Sequence, residues 1–163
     1  MGRYDRIIFV STYGTCRSIL AKAIFDNIKS QHDVMSQYDI MAESRGLVVL
    51  FEEPVNPKAE VIAKSKGLDI EGATSKQLTD EDFGESTIVL VMTEQLKKKL
   101  YNQFENAVNV YTLREFSKGA IDIETIKAGE LADYGNMYER IEEMISLAVE
   151  RIVNMEEQND SDR

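Results

Sequence analysis

The sequence predicts an α/β fold, a three-layer α/β/α sandwich around a central four-stranded parallel sheet. Three observations carry that reading. Short apolar runs with β-branched content, bounded by polar segments, read as strands covered on both faces. Between them apolar residues recur at three-to-four spacing, the period of a helix. The two patterns alternate four times, and such alternation builds a parallel sheet sandwiched by helices.

Ile7-Ile8-Phe9-Val10 is the first strand. A helix follows from Arg17 or Ser18, with Leu20, Ala23, Ile24 and Ile28 on one side. The second strand has two candidates, residues 38–42 and 46–51, of which "GLVVLF" is locally the stronger. Pro54 and Pro57 close that region, and Pro57 suits the first position of a helix that turns Ala59, Ile62 and Ala63 inward. Residues 87–92, "TIVLVM", form the clearest buried strand, and Leu96, Leu100 and Phe104 make the helical stripe after it. Residues 108–111 are the fourth strand and 119–129 are irregular. Met137, Ile141, Met144, Ile145, Ala148, Ile152 and Met155 then line one face of a long closing helix. Residues 1–155 read as one domain and 156–163 as a polar tail.

A chain of 163 residues, 43% apolar and 29% charged, is large enough to bury a core without staples. No run approaches the roughly 20 apolar residues that span a bilayer. The first residues lead directly into a strand, so no signal peptide is expected. The single cysteine, Cys16, has no partner for an internal disulfide, which fits the cytoplasm. A formal charge of −10 makes nucleic acid and anionic membranes poor partners. A site for an anion must be a local exception, built from backbone N–H groups and one or two arginines. Neither a metal nor a cofactor is expected.

The stretch "FVSTYGTCRS" has the parts of such an exception. In open parallel sheets ligands bind beyond the carboxyl ends of the strands, at the switch point, and the loop after the first strand lies there. The N–H groups of the loop and of the helix's first turn lack intrahelical partners, and the helix dipole adds positive potential. Gly14 permits a positive φ that turns successive N–H groups inward. Arg17 offers a planar fork for two phosphate oxygens, and Ser18 is placed to bond the loop's base or to cap the helix. The candidate phosphate-binding residues are thus Thr12, Tyr13, Gly14, Thr15, Cys16, Arg17 and Ser18. By spacing alone, an ordinary strand-to-helix turn with an incidental arginine fits equally well.

"IIFVSTYGTCRSILAKAIF" closely resembles the opening of low-molecular-weight protein tyrosine phosphatases, whose signature is Val-Cys-x-Gly-Asn-x-Cys-Arg-Ser-Pro. The likeness continues through "ESRG", "KGLDIEGATSKQLTDEDF", "IVLVMTEQLKKKL", "VYTLREF" and "DYGNMYERIEEMI", in matching order along most of the chain. The resemblance implies a mechanism with three parts: a cysteine thiolate that attacks phosphorus, an arginine that clamps its oxygens, and an aspartic acid that protonates the leaving phenolate. Arg17 matches the clamp and Cys16 the second cysteine. The nucleophile position, however, holds Ser11, and the acid position falls on Thr125 within "DIETIKAG". Asp122 and Asp133 are the fallback acids.

Further departures follow from the same comparison. Gly14 stands for the loop asparagine, Ala73 for the histidine that supports it, Tyr13 for a glycine and Ile19 for a proline. Ile126 replaces the proline after the acid, and Lys127 the aromatic that walls the phosphotyrosine pocket. His32, the only histidine, is read as a solvated loop residue and not as a base for Ser11. Cys16 is read as a buried thiol, with a redox role as the alternative. The leading expectation is a phosphatase-like protein that is catalytically impaired but keeps its cradle, and so binds phosphate or a phosphotyrosine-containing protein. One alternative is an active phosphotyrosine phosphatase, working through a cysteinyl-phosphate, captured as a Cys-to-Ser variant at position 11. The other is a non-enzymatic interaction protein whose cradle is plugged by Tyr13.

Overall fold

The computed structural model describes residues 4–127 and 129–161. Its sheet has the strands β1 (Arg6–Ser11), β2 (Met41–Gly46), β3 (Thr87–Val91) and β4 (Val110–Thr112) in the order β2-β1-β3-β4. Every neighbouring pair is parallel. The helices are α1 (Arg17–Gln31), α2 (Pro57–Ser65), α3 (Glu94–Gln103), α4 (Leu113–Ser117) and α5 (Leu131–Ser161). No helix among the described residues is long and apolar enough to cross a membrane.

The interiors of the two central strands, Ile7–Val10 and Ile88–Val91, are apolar because both of their faces are covered. Alternate side chains of a strand point to opposite faces. Ile7 and Phe9 therefore enter one core, with Leu20, Ile24 and Phe25 of α1 and Ile141, Ile145 and Ile152 of α5. Ile8 and Val10 enter the other, with Val89, Val91 and the α3 residues Leu96 and Leu100. The α/β/α layering predicted from the sequence is the observed fold.

The second strand differs from either candidate. β2 spans Met41–Gly46, overlapping the end of one and the start of the other. Its middle is polar because Glu43 and Arg45 form an ion cluster with Arg6 and Asp82. The apolar run that follows is a loop, with Val48, Leu50 and Phe51 exposed. Two of its amides cap the end of β1: Leu47 N donates to Ser11 O at 3.0 Å and Val48 N to Thr12 O at 2.9 Å.

The remaining elements follow their local signals. Pro57 opens α2, and the Asn56 side chain caps it by accepting from Lys58 N at 2.9 Å and Ala59 N at 3.3 Å. The α5 helix runs through Ser161, into the segment read as a polar tail, and Glu156 is buried; Asp162 and Arg163 lie outside the described residues. Since β2 and β3 flank β1 on opposite sides, the chain's connections diverge at the carboxyl end of β1. The loop 11–18 emerges there.

Candidate functional site

The loop's shape begins with glycine. Gly14 has φ +71°, the left-handed region that a side chain disfavours. It also lies against the end of β2. A Cβ on Gly14 would sit 2.9 Å from Gly46 N and 3.1 Å from Gly46 Cα, while one on Gly46 would meet Tyr13 C at 2.6 Å. Two glycines thus let the backbones of loop and strand touch. The position aligned with the supporting histidine, Ala73, is half-buried, and its amide donates to Ile70 O at 3.1 Å. On its other flank the loop is tied to the α2 cap, where Asn56 N donates to Thr15 O at 2.8 Å.

Inside this frame the first helical bond of α1 runs from Leu20 N to Cys16 O at 2.9 Å. The amides of Tyr13, Thr15, Cys16, Arg17 and Ser18 meet no protein acceptor among the described residues. That is a run of unsatisfied donors at a helix start, where the macrodipole is positive. Ser11 lies at the base, 2% exposed. Its Oγ accepts from Gly14 N at 3.1 Å and shares a hydrogen bond with Ser18 Oγ at 2.8 Å. Ser18 therefore bonds the loop's base and does not cap the helix through its side chain.

Arg17 is 5% exposed. Its Nη1 donates to Ile123 O at 2.8 Å and its Nη2 to Thr12 Oγ1 at 3.2 Å. Burial lowers its pKa, opposed in part by Cys16 and the charge of Glu124. No carboxylate lies within ion-pair distance of it among the described residues. A buried guanidinium held only by neutral acceptors leaves positive potential at the loop that an anion would satisfy.

The segment aligned with the acid is anchored over this arginine, since Ile123 N donates to Met92 O at 2.9 Å just beyond β3. Thr125 is exposed and lines a cleft of about 620 Å³ together with Asp122, Glu124 and Asp133. Asp122 is engaged structurally, accepting from Glu94 N at 2.8 Å and Arg114 Nε at 3.0 Å. Asp133 accepts from Glu130 N at 2.8 Å and so closes the first turn of α5. The carboxylate whose charge Arg17 feels is Glu124, exposed and one residue before Thr125. No signal in the sequence marks Glu124, because the family resemblance places the acid one residue later. A loop bonded to Arg17 through the Ile123 carbonyl is visible only in three dimensions.

Other candidates are placed plainly. Tyr13 is 58% exposed, so its ring stands in solvent and does not fill the cradle. Burial pushes the Cys16 thiol up to about 12, against the pull of Arg17, which leaves it protonated and unreactive near neutrality. His32 ends α1, at the far end of that helix from the loop; its Nε2 pairs with Glu150 at 2.7 Å, and its Nδ1 accepts from Met35 N at 3.0 Å. No imidazole serves Ser11 among the described residues.

Residues 6–158, which include this strand, loop and arginine, match the family described as low molecular weight phosphotyrosine protein phosphatase. The chain belongs to that family. The protein-tyrosine-phosphatase PtpB of Staphylococcus aureus is 29% identical over 140 residues, covering 86% of this chain and 94% of its own. A protein-arginine-phosphatase of Geobacillus stearothermophilus is 28% identical over 149 residues, covering 90% and 95%. Among solved structures, the arginine phosphatase YwlE superposes with a TM-score of 0.82 at 27% identity, covering 90% of this chain and 95% of that one. It was solved as a Cys-to-Ser variant with its active-site serine phosphorylated. These phosphatase relatives span nearly the whole chain, so the likeness is not confined to the loop.

Proposed function

We propose that this member of the phosphatase family grips phosphorylated side chains on partner proteins with little or no turnover. The observation that carries the reading is Arg17: a buried guanidinium without a carboxylate partner among the described residues, beneath a run of amides that lack acceptors there. Such a site binds a dianion whether or not a nucleophile is present. The chemical groups are the parts that differ. Ser11 has no base beside it to remove its proton, and Thr125 is not an acid near neutral pH.

Two features favour a phosphoarginine-containing partner over a phosphotyrosine-containing one. The position aligned with the aromatic wall of the phosphotyrosine pocket is Lys127, which is exposed. The rim instead carries Glu124, whose charge suits a guanidinium. Both substrate classes occur among the relatives' names. The exposed Tyr13 speaks against the plugged, purely interacting alternative.

Titration of the full chain with inorganic phosphate and with vanadate, followed by thermal shift, tests this reading. Binding is expected, together with negligible release of phosphate from an aryl phosphate or a phosphoarginine peptide, and Arg17→Ala should abolish the shift. No binding at millimolar ligand removes the cradle from the account. Efficient multiple turnover by the unmodified chain removes the impairment.

A further inference from the structure

We infer that Asp122 is a positioning residue for Arg17: it pins the segment after α4 so that the Ile123 carbonyl holds the guanidinium in place at the loop. The inference rests on the cradle binding an anion, as proposed above, and names the residue outside the loop that keeps the clamp ready.

Little else secures that segment. Residues 120–127 form neither helix nor strand. Among the described residues they make four hydrogen bonds to the rest of the chain, all at Asp122 and Ile123. Ile123 N donates to Met92 O at 2.9 Å, and Ile123 O accepts from Arg17 Nη1 at 2.8 Å. The Asp122 carboxylate makes the other two, Oδ2 accepting from Glu94 N at 2.8 Å and Oδ1 from Arg114 Nε at 3.0 Å. The buried Ile123 side chain adds an apolar anchor.

The partners of Asp122 are fixed points. Glu94 begins α3, so its amide is one of the donors that a helix leaves without an internal acceptor. The helix's own cap, Thr93, is spent on Leu96 N at 3.1 Å. A carboxylate from elsewhere in the chain satisfies the remaining amide and meets the positive end of the helix dipole. Arg114 belongs to α4 and ties the second oxygen. Asp122 thus joins the helices that follow β3 and β4, and the peptide link to Ile123 carries that geometry to Arg17. With both oxygens accepting, the residue serves as an anchor and not as the fallback acid.

Arg17 needs such an anchor because of how its charge is kept. Its two acceptors, Ile123 O and Thr12 Oγ1, are neutral, so the positive charge stays available to a ligand. Neutral acceptors hold a guanidinium more weakly than a carboxylate does. Its orientation therefore depends on how firmly those acceptors are themselves held. Thr12 belongs to the loop; Ile123 is the acceptor fixed from outside it.

Titration of the full chain with inorganic phosphate, alongside nitrogen NMR of the Arg17 side chain, tests this. In the wild type the guanidinium should rotate slowly and show resolved Nη–H signals. Asp122→Ala should average those signals and weaken phosphate binding about tenfold, the scale of one lost hydrogen bond. Asp122→Asn keeps an acceptor for Glu94 N but loses the charge that meets Arg114, so it should lose less. Arg114→Ala should match it, and combining the two should cost no more than either alone. If Asp122→Ala fails to fold, the two milder variants carry the same comparison. Variants that melt earlier yet bind phosphate as the wild type does, with Arg17 still rotating slowly, overturn the positioning role. Additive losses from Asp122→Asn and Arg114→Ala overturn the shared route. A wild-type chain that binds no phosphate overturns the binding reading, while the rotation of Arg17 still decides whether Asp122 holds it.

Discussion

At position 11 an oxygen stands where the family resemblance places a sulfur, and at 125 a hydroxyl where it places a carboxyl. Replacing one should not rescue the other. Ser11→Cys alone is expected to give little hydrolysis of an aryl phosphate, because the leaving group still departs unprotonated. Adding Thr125→Asp should raise the rate by a further 10²–10⁴-fold or so, the usual contribution of a general acid. Steady-state assays of the two variants check this; full recovery in the single variant would point to Glu124 as the proton donor, since Asp122 and Asp133 are otherwise engaged. Gly14 offers a second test. Alanine there adds left-handed strain of roughly 1–2 kcal/mol and puts a Cβ 2.9 Å from a backbone nitrogen that cannot swing away. Gly14→Ala should therefore lower stability in urea melts and weaken phosphate binding together. The loop and its arginine were legible in the sequence, because a contiguous motif carries them. Gly46 and Glu124 were not, because each meets the loop only through the fold.

Among the elements, β2 shows what a local reading misses. Apolar "GLVVLF" looks like a strand, yet the chain pairs the polar "MAESRG" with β1 instead, from Arg6 opposite Met41 to Ser11 opposite Gly46. That register brings Gly46 to Gly14 and stations Glu43 and Arg45 beside Arg6 and Asp82. The cluster gives the polar strand its place. Arg6 Nη2 meets Asp82 Oδ1 at 2.8 Å, and Arg45 Nε meets Asp82 Oδ2 at 3.4 Å. Burial opposes the Asp82 charge, but the Thr79 amide, Arg6 and Arg45 outweigh it and hold the carboxyl below its ordinary value of 3.8. Glu43 is likewise held below 4.5, burial being outweighed by Arg6 and Arg45. Groups depressed in the folded state add stability above their ordinary values and lose it as pH falls through them. Acid should thus loosen the β1–β2 edge. Asp82→Ala, which leaves Arg45 with Glu43 and the Ser44 carbonyl as its remaining partners, should cost roughly 1–3 kcal/mol at neutral pH. The gap between variant and wild type should shrink as the pH is stepped down through the carboxylate range. A gap independent of pH would mean that lost packing, and not charge, sets the cost.

For the molecule as a whole, the contrast is between a cradle that invites an anion and a chain of net charge −10. The two act over different distances. An anion at Arg17 and the loop amides would make short, buried contacts that salt screens little, whereas the field of the exposed carboxylates is cut as the Debye length falls from about 30 Å at 0.01 M to about 8 Å at 0.15 M. At low ionic strength that field should turn away partners whose phosphorylated residue sits among acidic neighbours and draw in those with basic ones. Phosphoarginine peptides identical but for two flanking lysines or two flanking glutamates make the comparison. With each of the four unit-charge differences between the flanks contributing about 0.4 kcal/mol in the open, the lysine peptide should bind about tenfold more tightly at low salt. The advantage should fade at physiological salt, while affinity for inorganic phosphate holds or improves as surface repulsion is screened. Binding of both peptides on surface-immobilised chain gives the two slopes. If phosphate affinity instead collapsed with salt in parallel with the lysine peptide, the anion would be held by exposed lysines and not by the loop after β1, and the buried arginine would lose its part in recognition.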